Sequence, residues 1–280
     1  MRGPRHAGHD ARMTEANGPV IVGWDGSEGG RDALALAAMI ADDRELVLAQ
    51  VWGRQGPEDE QLAALRSTAE SAGAQSRAVQ SGSTAHGLHD LAEELGARLL
   101  AVGSSNRANP GTVFAGGTAE RLLQGGPCEV GLAVKGLSAD DDARLRVLGV
   151  AYDGSRESRL ALHRAIDLGL EAQATMRIFT VVPPDLGGGE KAHDRWRTLL
   201  AEARDQAPHE LRAAGVLGSG YPVRVLEEEA QKGVDLMVMG SRGYGPLRRV
   251  LLGGVTLDLV RTAPCSLLIV PRDAPDGDGA

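Results

Sequence analysis

The stretch Arg146-Val147-Leu148-Gly149-Val150-Ala151-Tyr152-Asp153-Gly154-Ser155 decides the reading of this chain. It is an apolar, β-rich run that ends in aromatic-Asp-Gly-Ser and passes into a Leu/Ala-rich helical pattern. The same grammar stands earlier, at Pro19-Val20-Ile21-Val22-Gly23-Trp24-Asp25-Gly26-Ser27. Later segments repeat as well. Leu99-Leu100-Ala101-Val102-Gly103-Ser104 matches Leu236-Met237-Val238-Met239-Gly240-Ser241, Gly116-Gly117 matches Gly253-Gly254, and Pro127-Cys128 matches Pro264-Cys265. These later matches keep an offset of 137, whereas the opening strands keep 128. Several matches in one order indicate a duplication, with about nine extra residues in the second copy near Pro183 to Gly189.

Each copy alternates strand-like and helix-like segments, which implies a mostly parallel sheet covered on both faces. In the second copy the pattern predicts a strand over Leu145 to Tyr152 and a helix over Arg156 to Leu170, capped by Ser155. It continues with a strand over Met176 to Val182, an amphipathic segment over Lys191 to Ala214 and a short strand near Val216. A helix over Val223 to Gln231, a strand over Val234 to Met239, a helix over Val255 to Arg261 and a strand over Ser266 to Val270 complete it. The fold class is α/β, as two tandem doubly wound parallel five-stranded sheets. The expected division is a tail over 1–17, a first domain over 18–136, a linker over 137–143, a second domain over 144–272 and a tail over 273–280. Met13 lies closer than Met1 to the first strand, so a start at Met13 is an alternative expectation.

Bulk composition narrows the function classes. The 280 residues carry a net charge of −8, which repels phosphate backbones and anionic membranes. Aromatics make up 3%, so the core must be aliphatic. Two cysteines, Cys128 and Cys265, give no disulfide framework and fit a cytoplasmic compartment. Each follows a proline just before a strand and reads as a buried small hydrophobe. The stretch before the first strand is polar and glycine-rich and does not read as a signal peptide. His86 and His89 lie three apart on a helix with no further metal ligand evident, and read as surface residues.

Ligands in doubly wound sheets bind beyond the carboxyl ends of the strands, where strand order reverses. Two segments of each copy map there: Asp-Gly-Ser after the first strand and the glycine-rich loop after the fourth. In the second copy that loop reads Gly240-Ser241-Arg242-Gly243, then nine residues to Gly253-Gly254-Val255-Thr256. Glycines let backbone N–H groups approach phosphate oxygens, and a helix start at Gly253-Gly254 attracts an anion. The Thr256 hydroxyl offers a further donor, while Arg242, Arg248 and Arg249 add positive charge. Asp153 lies across the crevice, where a carboxylate accepts from sugar hydroxyls or helps hold a metal. It equally suits an Asx-turn.

On these residues the chain resembles the universal stress protein family, in its ATP-binding branch, from about Val20 to Arg272. The resemblance implies the strand order 3-2-1-4-5 and a nucleotide site lined by Asp153, Val181, Met239, Gly240, Arg242, Gly243, Gly253, Gly254, Val255 and Thr256. Val181 would pack against adenine, and the ligand would be ATP, alone or with Mg2+. The family places Ser or Thr directly after the last glycine, where this chain has Gly254. The first copy departs further, with Asn106 in place of the second glycine, Ala108 in place of Gly245, and Gly117 again in place of the hydroxyl residue. A weaker second site remains, made of Asp25, Val51, Gly103, Gly116 and Gly117. The resemblance also implies pairing of the two last strands, Val130 to Val134 and Ser266 to Val270, as an intrachain pseudo-dimer, with a further homodimer open. No general base or phosphoryl clamp stands out, which points to a regulatory ligand with slow hydrolysis at most. An interaction protein that no longer binds nucleotide, and an enzyme on the same scaffold, remain as alternatives.

Overall fold

The computed structural model describes residues 18–41, 43–184, 190–241 and 253–271. Its first half runs β1 (Val20–Gly23), α1 (Glu28–Ile40), β2 (Leu46–Trp52), α2 (Asp59–Ser71) and β3 (Gln75–Gln80). It continues with α3 (Thr84–Leu95), β4 (Leu99–Gly103), α4 (Gly117–Gly125) and β5 (Glu129–Ala133). A short 3-10 turn, Leu137–Ala139, leads to the second half. That half runs β6 (Val147–Ala151), α5 (Arg156–Glu171), β7 (Thr175–Val182), α6 (Glu190–Gln206) and β8 (Ala214–Ser219). It ends with α7 (Pro222–Ala230), β9 (Leu236–Gly240), α8 (Gly254–Thr262) and β10 (Ser266–Val270).

The strands form one ten-stranded sheet in the order β3-β2-β1-β4-β5-β10-β9-β6-β7-β8. Each half therefore has the order 3-2-1-4-5, parallel throughout. The two five-stranded units join through the antiparallel pair β5·β10, with Leu132 opposite Leu267 and Val130 opposite Ile269. This is the pairing of last strands that the sequence resemblance implies. The two units share their packed layers across the join. Leu132 and Leu267 belong to one apolar cluster, and Ala133 and Leu268 to the other. Both leucines are fully buried, and burying one Leu side chain contributes about 1.5–3 kcal/mol.

Local chemistry sets the repeated turn after the first strand of each half. Gly26 and Gly154 have φ of +77° and +76°, a conformation that disfavours any residue with a Cβ. Ser27 and Ser155 follow as N-caps, accepting from Gly30 N and Ser158 N at 3.2 Å. The sequence expectation of a Ser155 cap holds, and the helix after it reaches Glu171.

The nine-residue difference is localised by register. Trp52 and Val182 end equivalent strands at an offset of 130, and Gln80 and Ser219 end the next pair at 139. The extra length thus lies between β7 and β8. Part of the expected segment, residues 185–189, lies outside the described residues.

The halves also differ in how they fill one shared core position. Ile21 and Ala49 of the first half correspond to Gly149 and Phe179 of the second. A Cβ on Gly149 would stand 3.0 Å from the Phe179 ring. A large residue on one strand is balanced by a small one on its neighbour, which conserves volume.

The connection between the halves is more tightly held than its acidic sequence suggests. The fully buried Asp32 of α1 accepts from Gly136 N at 2.9 Å, Ser138 N at 2.8 Å and Ser138 Oγ at 2.6 Å. A second tie is ionic. Glu129 of β5 contacts Arg164 of α5 and Arg98, each at 3.0 Å, so a buried ion triad crosses the join.

Candidate functional site

In the first half, the chain leaves β1 towards β2 on one side and later lays β4 on the other side of β1. At the carboxyl ends of these strands lies a crevice of about 330 Å³, at the low end of the volumes of small-molecule sites. Trp24 and Asp25 border it after β1, Ala49 comes from β2, and Leu88 from α3. Residues Val102 to Asn106 form another wall, and Gly116 to Ala119 at the start of α4 close it.

Of the sequence-predicted residues, Asp25, Gly103, Gly116 and Gly117 come together here. Val51 does not. A Cβ on Gly87 of α3 would stand 2.9 Å from Val51 Cγ1, so Val51 packs beneath α3 while Ala49 borders the crevice. The two residues share a strand face, and the sequence expectation sits one step too far along it. Ala49, Leu88, Ser105 and Thr118 were missed by sequence reasoning. Only Thr118 had a signal, as a hydroxyl one position after the place where the family carries it.

The roles of the glycines also shift. A Cβ on Gly103 would fall 2.0 Å from the carbonyl oxygen of Gly29, and one on Gly240 would fall 2.7 Å from Glu157 Cβ. These glycines let the first turn of a helix press against the strand end. Gly117 and Gly254 are different, because a Cβ there meets nothing within 4 Å among the described residues. Asp25 and Asp153 each accept from the backbone N–H two residues on, Ser27 and Ser155, at 2.9 Å. That is an Asx-turn, the structural role open in the sequence.

The loop after β4 is closed by its own hydrogen bonds. Ser105 N donates to Phe114 O, Arg107 N to Ser105 Oγ and Ala108 N to Ser105 O, at 2.9, 3.1 and 2.9 Å. Lys135 Nζ donates to the Asn106 and Ala108 carbonyls. Val113 N and Ala115 N donate to Ala263 O and Val260 O at the end of α8, at 2.9 and 2.7 Å.

In the second half, Val181 and Met239 are buried in the core, with Gly240 at the end of β9. Gly253, Gly254 and Val255 start α8, and Gly253 N donates to Ser241 O at 2.8 Å. Thr256 corrects an expectation. Its hydroxyl is buried and donates to Gly240 O at 3.0 Å, so its proton ties helix to strand instead of facing a phosphate. Arg242, Gly243, Gly245, Arg248 and Arg249 lie outside the described residues, as do the expected tails.

Other candidates resolve plainly. Burial pushes the Cys128 and Cys265 thiols up to about 12, aided at Cys128 by the adjacent Glu129, which agrees with inert core residues. Trp24 borders the crevice, whereas Tyr152 is buried in the core. The structure adds two acidic groups beside His89, which the sequence reading passed over. One atom each of His89, Asp90 and Glu93 lie within 4.8 Å of one another, on an exposed helix face. Among the described residues, no helix is long and apolar enough to cross a membrane.

Fold and crevice define a class: a duplicated, doubly wound α/β protein with a ligand-sized opening at a strand-order reversal. Comparison with known proteins narrows it. The model of the universal stress protein family matches residues 17–134 and 145–271, and the chain belongs to that family. It is 27% identical over 208 residues to a universal stress protein of Mycobacterium tuberculosis H37Rv, covering 68% of this chain and 69% of the relative. It is 31% identical over 141 residues to the universal stress protein YxiE of Bacillus subtilis, covering 43% of this chain and 95% of the relative. A crystal structure of a universal stress protein from Archaeoglobus fulgidus superposes with a TM-score of 0.67 at 19% identity, over 91% of this chain and 99% of that one. At this identity the last likeness concerns the fold.

Proposed function

We propose that this universal stress protein binds an adenine nucleotide as a regulatory ligand in the stress response, with ATP held chiefly in the second half. The observation that carries the reading is the crevice where Asp25 faces the start of α4 across the ends of β1 and β4. The same elements recur in the second half as Asp153 and the start of α8. There the sequence keeps both spaced glycines, Gly243 and Gly253, and adds Arg242.

The donors in play are backbone N–H groups and hydroxyls. They bind an anion but do not take up a proton, which suits a ligand held for its effect on conformation. Mg2+ would arrive with the phosphates, and Asp153 is the carboxylate suited to it. The buried free thiols fit a reducing compartment, the cytoplasm. The net charge of −8 argues against nucleic acid or an anionic membrane as partner. Dimerisation of whole chains would add to the pseudo-dimer already formed by β5 and β10.

Thermal unfolding with Mg-ATP tests the proposal. A ligand at 100 times its Kd adds about 2.7 kcal/mol, which raises Tm by roughly 5 °C or more. No shift at millimolar Mg-ATP, together with no nucleotide released from the freshly purified protein, rejects it. A second reading, an interaction protein independent of nucleotide, is favoured by the loop after Gly103 being bonded to itself and to α8. A bulky side chain at Gly243 separates the two, because function would survive it only under the second reading.

A further inference from the structure

We infer that the two halves take different ligands, and that the first-half crevice is a site for an adenine nucleotide carrying a single phosphate. The inference rests on the nucleotide reading above and assigns the ligand class of its weaker site.

Anion donors at the start of α4 are few. The first helical hydrogen bond at the start of α4 is Glu120 N to Gly116 O. The N–H groups of Gly117, Thr118 and Ala119 therefore have no acceptor within the helix. Thr118 borders the crevice as well, and its hydroxyl can add a fourth donor. That set offers at least one donor to each terminal oxygen of one phosphate group. Further phosphates would extend towards Ser105 to Ala108, where three of the four backbone N–H groups are already donated within the loop. Asn106 borders the crevice at the place where the second half has Gly243, so it brings a side chain to a position where glycine has none.

Charge favours the same ligand class. Asp25 is the only ionisable side chain among the described residues bordering the crevice. Arg242, Arg248 and Arg249 of the second half correspond to Ser105, Gly111 and Thr112 of the first. The nearby Lys135 has its Nζ on the loop carbonyls of Asn106 and Ala108. Arg107 lies in the loop but not among the residues bordering the crevice, so a triphosphate would bring several negative charges to a lining with one carboxylate and no cation, whereas a monoester or cyclic diester brings the fewest. The volume of about 330 Å³ suits a nucleoside with one phosphate.

The open positions at Gly117 and Gly254 allow each site to be closed alone. Neither has a positive φ, and a Cβ at either meets nothing within 4 Å among the described residues. Helical side chains lean towards the N-terminus, so a Leu there would project to the ligand side. The full chain, Gly117→Leu and Gly254→Leu are titrated calorimetrically with AMP, cyclic AMP and Mg-ATP. In Gly254→Leu, the remaining site should bind AMP or cyclic AMP at least tenfold more tightly than Mg-ATP, and Gly117→Leu should lose that site. The two monophosphates identify which ester is preferred. Asn106→Gly in the Gly254→Leu background should narrow the discrimination. Mg-ATP binding to Gly254→Leu as tightly as both monophosphates would overturn the inference, as would monophosphate binding unchanged in Gly117→Leu. Mg-ATP binding confined to the second half, with an empty first half, would overturn this inference alone. No binding of any nucleotide by the unmodified chain would overturn the proposed function itself.

Discussion

Replacing Glu129 by Gln keeps the shape of the side chain and removes the charge that two guanidinium groups share. The Glu129 side chain is 3% exposed and that of Arg164 is 4%, with Arg164 Nε donating to Glu129 Oε2 at 3.0 Å. Arg98, 16% exposed, contacts Oε1 at 3.0 Å, but that oxygen accepts no aligned hydrogen bond. Arg164 is thus the partner with more at stake. Breaking a buried ion pair from one side costs about 3–5 kcal/mol, because the other charge stays buried and unpaired. For a chain of this size that lowers Tm by roughly 6–20 °C. Urea and thermal unfolding of Glu129→Gln would measure the loss. Glu129→Met combined with Arg164→Met removes both charges, and should be more stable than Glu129→Met alone. A Glu129→Gln protein within about 1 kcal/mol of the unmodified chain would refute the reasoning, and would mean that water reaches the triad.

Other substitutions test the packing. Gly103→Ala should destabilise by more than about 2 kcal/mol, since its Cβ would strike the Gly29 backbone, whereas Gly117→Ala should be neutral or stabilising. Chemical denaturation of both variants compares them, and equal stabilities would contradict the close-approach role of Gly103. Asp32→Ala removes the acceptor of three hydrogen bonds. It should cost about 2–4 kcal/mol and quicken proteolysis near Gly136 to Asp142, which limited digestion would show. The thiols should resist a disulfide reagent at pH 8 until the chain is unfolded in urea. Their folded values are raised from 9.0 to about 12, so each contributes stability below pH 9 that is lost as pH rises towards 12. Unfolding midpoints measured across that range should fall, and stoichiometric labelling of the native protein at pH 8 would contradict the burial.

Much of the fold is legible in the sequence because the duplicated segments are its most constrained ones. The strands β1, β4, β6 and β9 are central and apolar, and the Asp-Gly-Ser turns need a glycine at positive φ. The edge strands β3 and β8 are half exposed and carry residues such as Gln75, Arg77 and Ser219. Their pairing is set by neighbours instead of by their own pattern, so Val216 gave only a faint signal. The candidate site was less legible. Asp25, Gly103 and Gly116 stand in motifs, but Ala49 and Leu88 belong to no motif and reach the crevice through sheet register and helix packing. The Thr256 hydroxyl was misplaced for a similar reason, since its partner is a carbonyl on β9, sixteen residues earlier in the chain. The ion triad escaped notice because Arg98, Glu129 and Arg164 come from separate elements of both halves.

A crystal structure of the full chain grown with Mg-ATP tests the central claim most directly. A nucleotide is expected in the second half, with its phosphates at the Gly253–Gly254 start of α8 and its sugar beside Asp153. Nucleotide bound elsewhere, or both crevices empty at saturating Mg-ATP, would contradict it.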